Sequence, residues 1–408
     1  MSSVQDATVD KERFEILDAI RGIALFGIFL ANIRIFSGWD FLSLAQKELM
    51  AGNYLAFYEF FETLLVDGKF YTLFSLLFGI GFSLQLARLK ASKPNAIFIY
   101  CRRLTLLLVI GLIHLFVVWF GDILAPYALL GFALLLVRNW QDKHILRLAT
   151  VFFFLPFVGH LIFWGLSASP DLGLYNLGFA LMGAHFPGFQ GDFVTLWTNT
   201  SWSVFYAKGL GEGVLRVGYL FESWRFFKLA FVMLIGLWVG RKIVAGGFFD
   251  NTALFKKTAI IGFGIGLPFG IVYTQVGPVF AFAGPPSLEG LVVLTVYMLT
   301  VFPLGFAYGA ALVLIWKKKQ NLLTIFVAPG KMALTNYLLQ TVVGISIFYG
   351  VGFGYVGHAS PAILVSTCAF VFFCQIIFST LWLRAFKQGP LEWLWRCATY
   401  GKLIQIRR

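Results

Sequence analysis

The chain has 408 residues, of which 59% are hydrophobic and only 12% charged, and its mean hydropathy is +0.82. Soluble domains carry roughly 25% charged residues, and a soluble protein of this length needs more polar surface to cover its core. The composition therefore excludes a soluble enzyme, a disordered chain and a nucleic-acid module, and makes the bilayer the expected solvent.

The first eighteen residues are polar and carry Asp6, Asp10, Glu12, Glu15 and Asp18. This is a poor start for a signal peptide, and no small-residue cleavage site follows, so the first apolar run is expected to remain as a span. A helix needs ~20 apolar residues to cross a bilayer. Such runs occur about ten times, at 19–36, 69–88, 103–120, 123–138, 145–166, 226–243, 257–276, 288–316, 333–351 and 362–383. The eighth is long, and Pro303 with Gly305 offers a place for it to kink. The segment 54–66 is shorter, carries Glu59 and Glu62, and reads as an interfacial helix. Residues 167–223 form a large loop region between spans. The stretch 389–396 places Pro390 at a helix start, with Trp393 and Trp395 suited to a membrane interface, so 386–408 reads as an interfacial helix and tail. The expectation is an all-α, polytopic integral membrane protein with a single transmembrane domain over 1–408.

Alternating the connections puts 25 of the 32 Lys and Arg on the side of both termini, with 8 of the 19 acids. The other side is net negative. By the positive-inside rule both termini are cytoplasmic and 167–223 is external. The inner positive charge suits anionic lipid rather than nucleic acid. Cys101, Cys368, Cys374 and Cys397 form no CxxC pair and no metal-ligand spacing, so neither a disulfide framework nor a metal site is expected.

Ionisable groups inside spans are costly and mark candidate sites. His114 lies in the outer half of span three, with Asp122 eight residues on. On a straight helix they stand ~12 Å apart along the axis, so direct contact needs a bend at Gly121. His114 is either a packing residue or a general base. His160 in span five is either an inter-helix hydrogen-bonding group or a pathway residue. Asp67-Gly68-Lys69 opens span two. There Asp67 either caps the helix or walls an external cavity together with Glu62 and Lys69. Arg21 pairs with Asp18 on one helix face or meets a phosphate-bearing ligand. Lys331, after Pro329-Gly330, is a candidate anion site, and Asn336, Tyr337 and Gln340 form a polar patch suited to inter-helix hydrogen bonds.

Five stretches carry a family resemblance: LDAIRGIALFGIFLANI (17–33), DGKFYTLFSLLFGIGF (67–82), RRLTLLLVIGLIHLFVVWFGDILAPYALLG (102–131), GKMALTNYLLQT (330–341) and GPLEWLWRCATY (389–400). They span nearly the whole chain, which resembles the YeiB family of bacterial membrane proteins, whose C-terminal part is called domain of unknown function 418. The start of span one also resembles, more distantly, transmembrane acyltransferases of the acyltransferase-3 and heparan-α-glucosaminide N-acetyltransferase families. Arg21 matches the Arg of their motif and Asn32 the Asn of the second family. Ser43 stands where the acetyltransferase's later His falls by spacing, which leaves His114 as the candidate base.

The resemblance implies a bacterial inner-membrane acyltransferase. Acyl-CoA would be the donor near Arg21, Asn32 and Lys331. His114 and Asp122 would be catalytic, and Asp67, Lys69, Glu62, His160 and Asn336 would bound the substrate cavity. Its partners would be membrane lipids and an external acceptor, and a homo-oligomer is allowed. The alternative is a transporter of a small or amphipathic solute, with the same groups lining a pathway. A lipid-binding protein without activity is the third reading.

Overall fold

The computed structural model describes residues 2–189, 191–277 and 286–408, with side chains from Glu15 onward. Asp6, Asp10 and Glu12 therefore lie outside the described side chains. Among the described residues seventeen α-helices run in order: α1 (Ser2–Phe36), α2 (Leu44–Ala51), α3 (Leu55–Leu65), α4 (Lys69–Ser92), α5 (Ala96–Ile113), α6 (Leu124–Val137), α7 (Asp142–Gly165), α8 (Leu174–His185), α9 (Phe193–Trp197), α10 (Trp202–Glu222), α11 (Arg225–Ala245), α12 (Thr252–Val276), α13 (Leu288–Thr324), α14 (Val327–Lys331), α15 (Ala333–Phe348), α16 (Pro361–Ala385) and α17 (Pro390–Tyr400). Among those same residues an isolated bridge between Phe386 and Arg407 is the sole extended pairing. In hydrocarbon every backbone N–H and C=O must be satisfied internally, and helices do this within one segment.

Seven stretches of the described residues are long and apolar enough to cross a membrane: Glu15–Phe36, Leu44–Ser92, Ala96–Val118, Asp142–Gly165, Thr252–Val276, Leu288–Thr324 and Pro361–Ala385. Leu124–Val137 and Ala333–Phe348 are apolar but shorter. α11 is 21 residues long, yet carries Lys228 in its first turn and Arg241 and Lys242 near its end. The protein is an all-helical, multi-pass membrane protein.

Lipid tails are as apolar as leucine, so helix association relies on close packing and hydrogen bonds. Glycines supply the closeness where α1 meets α14. A Cβ on Gly22 would lie 2.1 Å from the Phe326 carbonyl oxygen, and one on Gly330 would lie 1.8 Å from that of Asp18. Only backbone fits there, and this contact sets Lys331 beside the part of α1 that carries Arg21.

Two elements differ from the expectation. α13 passes through Pro303 without a break, and its non-helical residue is Lys319, at φ −146° and ψ 61°. That is where the run Lys317-Lys318-Lys319 turns polar, and Lys317 Nζ reaches the Phe249 carbonyl (3.0 Å) and Thr252 Oγ1 (2.6 Å). The region 167–223 is also more than a loop. It holds α8, α9 and the 21-residue α10. α10 reaches the turn after α5 through its glycines: a Cβ on Gly209 would lie 2.4 Å from the Phe116 carbonyl oxygen. Its buried Lys208 pairs with Glu212 at 2.7 Å, and Glu212 also accepts from Trp197 Nε1.

Candidate functional site

α5 ends at Ile113, and His114–Val118 follow as a single π-helical turn. Trp119 N bonds back to the His114 carbonyl at 2.7 Å, and Trp119 is extended. Such turns occur often at functional sites. Residues 119–123 then run without α-helix, and Gly121 is required: a Cβ there would lie 2.1 Å from the Trp119 ring. This detour removes the axial separation a straight helix would impose. Asp122 Oδ1 sits 2.9 Å from His114 Nδ1, while Oδ2 accepts from Ala125 N (2.7 Å) and so starts α6.

The other ring nitrogen, Nε2, lies 3.0 Å from Thr341 Oγ1 on α15. An ionised carboxylate only accepts, which places the ring proton on Nδ1 and leaves Nε2 to accept from the threonine hydroxyl. The result is an Asp–His–Thr relay. The rings of Tyr337 (5.4 Å) and Trp119 (6.2 Å) stand edge-on to the imidazole. His114 is 2% exposed and Asp122 1%. The imidazole, although in the outer half of its span, lines neither of the two cavities described next. Trp119, Tyr337 and Thr341 enclose it.

The first cavity, of about 270 Å³, lies toward the end where α1 finishes and is lined by Asn32, Arg34, Asp67 and Gly121, among others. Arg34 gathers three acids: Asp40 at 2.7 Å, Glu59 at 2.9 Å and Glu62 at 3.1 Å. Asp67 lines the cavity and does not cap α4. The N-cap is Gly68, at φ 79°, without a side-chain hydrogen bond, because the left-handed turn aims the Asp away from the helix start.

The second cavity, of about 250 Å³, lies at the opposite end and is lined by Arg21, Arg103, Lys331, Tyr337, Glu392 and Trp395, among others. Arg21 pairs with Asp18 at 2.5 Å. The Arg103 guanidinium stacks 3.6 Å from the Trp395 ring, whose Nε1 donates to the Arg103 carbonyl (3.0 Å). Glu392 accepts from Leu334 N (2.7 Å), Thr335 N (3.0 Å) and Thr335 Oγ1 (2.5 Å), capping α15 from a different helix. Burial holds its carboxyl above the usual range, although these bonds oppose the shift. α17 thus turns Trp395 and Glu392 into the protein and forms a wall of this cavity. Ile123, beside Asp122, lines both cavities.

The site residues read from the sequence therefore separate into groups. Arg21 and Lys331 share the second cavity, whereas Asn32, Glu62 and Asp67 line the first. Lys69, His160 and Asn336 line neither. Lys69 is fully buried and donates to the Thr63 carbonyl. The His160 ring donates to the Ser287 carbonyl (2.8 Å). Asn336 Nδ2 donates to Ser379 Oγ (2.9 Å), as an inter-helix bond. Thr341, Arg34, Arg103, Arg216 and Arg225 are functional candidates that the reading did not single out. The motif GKMALTNYLLQT ends on Thr341, but a lone threonine in a span carries no signal of its own. Among the described residues no group of three or more His, Cys, Asp or Glu is placed to hold a metal.

Outside the spans, Tyr175 on α8 donates to Glu222 on α10. Burial pushes the Glu222 carboxyl up to about 7 against the opposing effect of that bond. The folded state then keeps a proton that an unfolded chain releases, so this group makes stability fall as pH rises from about 4.5 to about 7. Melting temperatures in detergent at pH 5 and pH 8 should show this fall, and Glu222→Gln should flatten it.

A family model described as a protein of unknown function, DUF418, matches residues 239–402. Over nearly its whole length the chain is similar to the uncharacterized protein YxaH of Bacillus subtilis (strain 168), with 32% identity covering 98% of this chain and 97% of the relative. It is also similar to the uncharacterized protein YeiB of Escherichia coli (strain K12), with 30% identity covering 95% and 96%. An uncharacterized 39.9 kDa protein in the amylase 3' region of Bacillus acidopullulyticus matches at 29% identity over 97% and 96%. No solved structure matches significantly. Full-length identity to both YxaH and YeiB, with the C-terminal match between 239 and 402, means that this chain belongs to the YeiB family of DUF418 proteins.

Proposed function

We propose that this protein is a transmembrane acyltransferase of the bacterial inner membrane, moving an acyl group from cytoplasmic acyl-CoA to an acceptor hydroxyl or amine at the external face. In this reading α11 and the two shorter apolar helices also span, giving about ten crossings with both termini cytoplasmic. The observation that carries it is the pair of cavities from opposite ends whose linings meet at Ile123, next to an Asp122–His114 pair in the partition.

The chemistry assigns each group a role. Arg21 and Lys331, whose side chains are 27% and 41% exposed, stand at the mouth of the inner cavity and pair with donor phosphates. The acceptor's oxygen or nitrogen attacks the thioester carbonyl, and His114 Nε2 takes its proton. Thr341 Oγ1 marks the place the acceptor's attacking group takes in the reactive complex. Asp122 stabilises the imidazolium, the C–S bond breaks, and the imidazolium returns the proton to the departing thiolate.

Titration of the purified protein with acetyl-CoA and palmitoyl-CoA tests the donor side. Saturable binding is expected, and Arg21→Gln and Lys331→Gln should each weaken it by ~10-fold or more, since each removes one charge-assisted hydrogen bond to a phosphate. Absence of any acyl-CoA binding refutes the reading. The enclosure of His114 on both sides also suits an occluded transporter. Solute movement in proteoliposomes free of any CoA ester would favour that reading.

A further inference from the structure

Five carboxylates line the outer cavity: Asp40, Glu59, Glu62, Asp67 and Glu212. Arg34 holds the first three, and Lys208 holds Glu212. The lining also contains two further arginines, Arg216 in the second half of α10 and Arg225 at the first position of α11. Among the described residues, neither forms a salt bridge, and the Nε of each is buried without a hydrogen-bond partner. Both guanidiniums face one ring: Arg216 Cζ lies 5.0 Å and Arg225 Cζ 5.8 Å from the centre of Tyr219. Arg225 also lies 4.2 Å over Tyr71 and donates to the Tyr219 hydroxyl at 3.3 Å. Burial, and after it the like charge of Arg225, depresses the Arg216 pKa from the usual arginine value.

Both side chains are half-buried, and Asp122 acts on Arg216 only at longer range. Two like charges in one cavity wall, neither with an acid in salt-bridge reach, are costly unless an anion joins them. A tyrosine face offsets part of that cost but neutralises neither charge. The backbone supports the arrangement. Trp224, just before Arg225, is left-handed at φ 55°, and its ring fills the space a Cβ on Gly159 would occupy, at 2.4 Å. A non-glycine residue held at positive φ carries strain that surrounding packing must maintain, and here that packing fixes where Arg225 begins its helix.

We infer that Arg216 and Arg225 form a binding site for a phosphate-bearing ligand in the outer cavity. Phosphate is favoured over carboxylate because the two forks come from different helices. A phosphate offers three oxygens to satisfy both, whereas a carboxylate is matched by one fork. Asp67 lines the same cavity with no cation in salt-bridge reach among the described residues, and offers an acceptor for hydroxyls on the body of the ligand. The ligand class is therefore a hydroxylated phosphate ester, either a soluble one or a phospholipid headgroup. Its identification as the acyl acceptor rests on the acyltransferase reading. The site itself does not.

The test is a thermal-shift titration of full-length protein in an uncharged detergent at constant ionic strength, with sn-glycerol 3-phosphate, dihexanoyl phosphatidylglycerol, dihexanoyl phosphatidylcholine and acetate as probes. Saturable stabilisation by at least one of the first two probes is expected. Arg216→Gln and Arg225→Gln should each raise the apparent Kd about tenfold or more, and the double variant should abolish the effect. Lys93→Gln, which removes an exposed charge elsewhere, should leave it unchanged. Response to phosphatidylglycerol alone assigns the ligand to the lipid, and response to glycerol 3-phosphate assigns it to the soluble ester. Equal response to acetate or phosphatidylcholine, or unaltered binding in the double variant, overturns the proposal. Each glutamine variant is also titrated with acetyl-CoA. Retained donor binding shows that the variant is folded, and it separates failure of this site from failure of the acyltransferase reading.

Discussion

Asp122→Asn is expected to lower the rate of acyl transfer by about 10²- to 10⁴-fold while leaving acyl-CoA binding intact. The carboxamide can keep its oxygen on Ala125 N, which preserves the start of α6. Its NH2 then faces His114 Nδ1 and donates to it. That reverses the tautomer, so Nε2 carries the proton and donates toward Thr341, unable to accept from an incoming nucleophile. His114→Gln should produce a similar drop. The double variant should be no slower than the worse single one, because groups acting as a unit are not additive. Neither residue lines the inner cavity, so donor affinity should remain that of the wild type. Breaking a buried polar pair inside a membrane bundle costs roughly 1–2 kcal/mol, so melting temperatures must accompany the rates. Full transfer activity in a folded His114→Gln protein would reduce the relay to a packing device.

The helical, membrane-embedded character was readable because apolar runs of bilayer length have few other uses. The relay was only half readable. Helical arithmetic put His114 and Asp122 at one end of a span but kept them apart, and the π turn with its Gly121 detour depends on Trp119 packing that spacing cannot show. Thr341 is 227 positions away from His114, and only the tertiary fold, which sets α15 beside the π turn after α5, brings them together. Arg216 and Arg225 were missed for a different reason. The glycines at 209, 211, 213 and 218 break the hydropathy pattern of α10, so the stretch reads as loop. In the folded chain those glycines let the helix enter the bundle. Lys69, Lys208 and Lys228 show the converse: each is an ionisable group near or within an apolar stretch, yet each is satisfied by a carbonyl, a carboxylate or an aromatic face.

The contact of α4 with α11 should tolerate little added volume. α4 carries Gly79 and Ser83 four apart, and α11 carries Gly236 and Gly240 four apart, a small-residue pattern on each helix that lets two backbones touch. A Cβ on Gly79 would stand 2.2 Å from the Met233 carbonyl oxygen, and one on Gly236 would stand 2.4 Å from that of Leu76. Both obstacles are backbone, so no rotamer change relieves them. Gly236→Leu should therefore destabilise the protein by about 3 kcal/mol or more, read as a large fall in the melting temperature in detergent. Gly79→Leu should match it, and the pair should fall short of the sum because both force the same helices apart. The consequence reaches the outer cavity, since α4 begins shortly after Asp67 and α11 begins at Arg225. Even the milder Gly236→Ala should weaken phosphate-ester binding, because those two walls separate, while the α1–α14 packing that sets Lys331 near Arg21 leaves acyl-CoA binding in place. A drop in both affinities together would show that the bundle moves as one body and that the two cavities are not independently positioned.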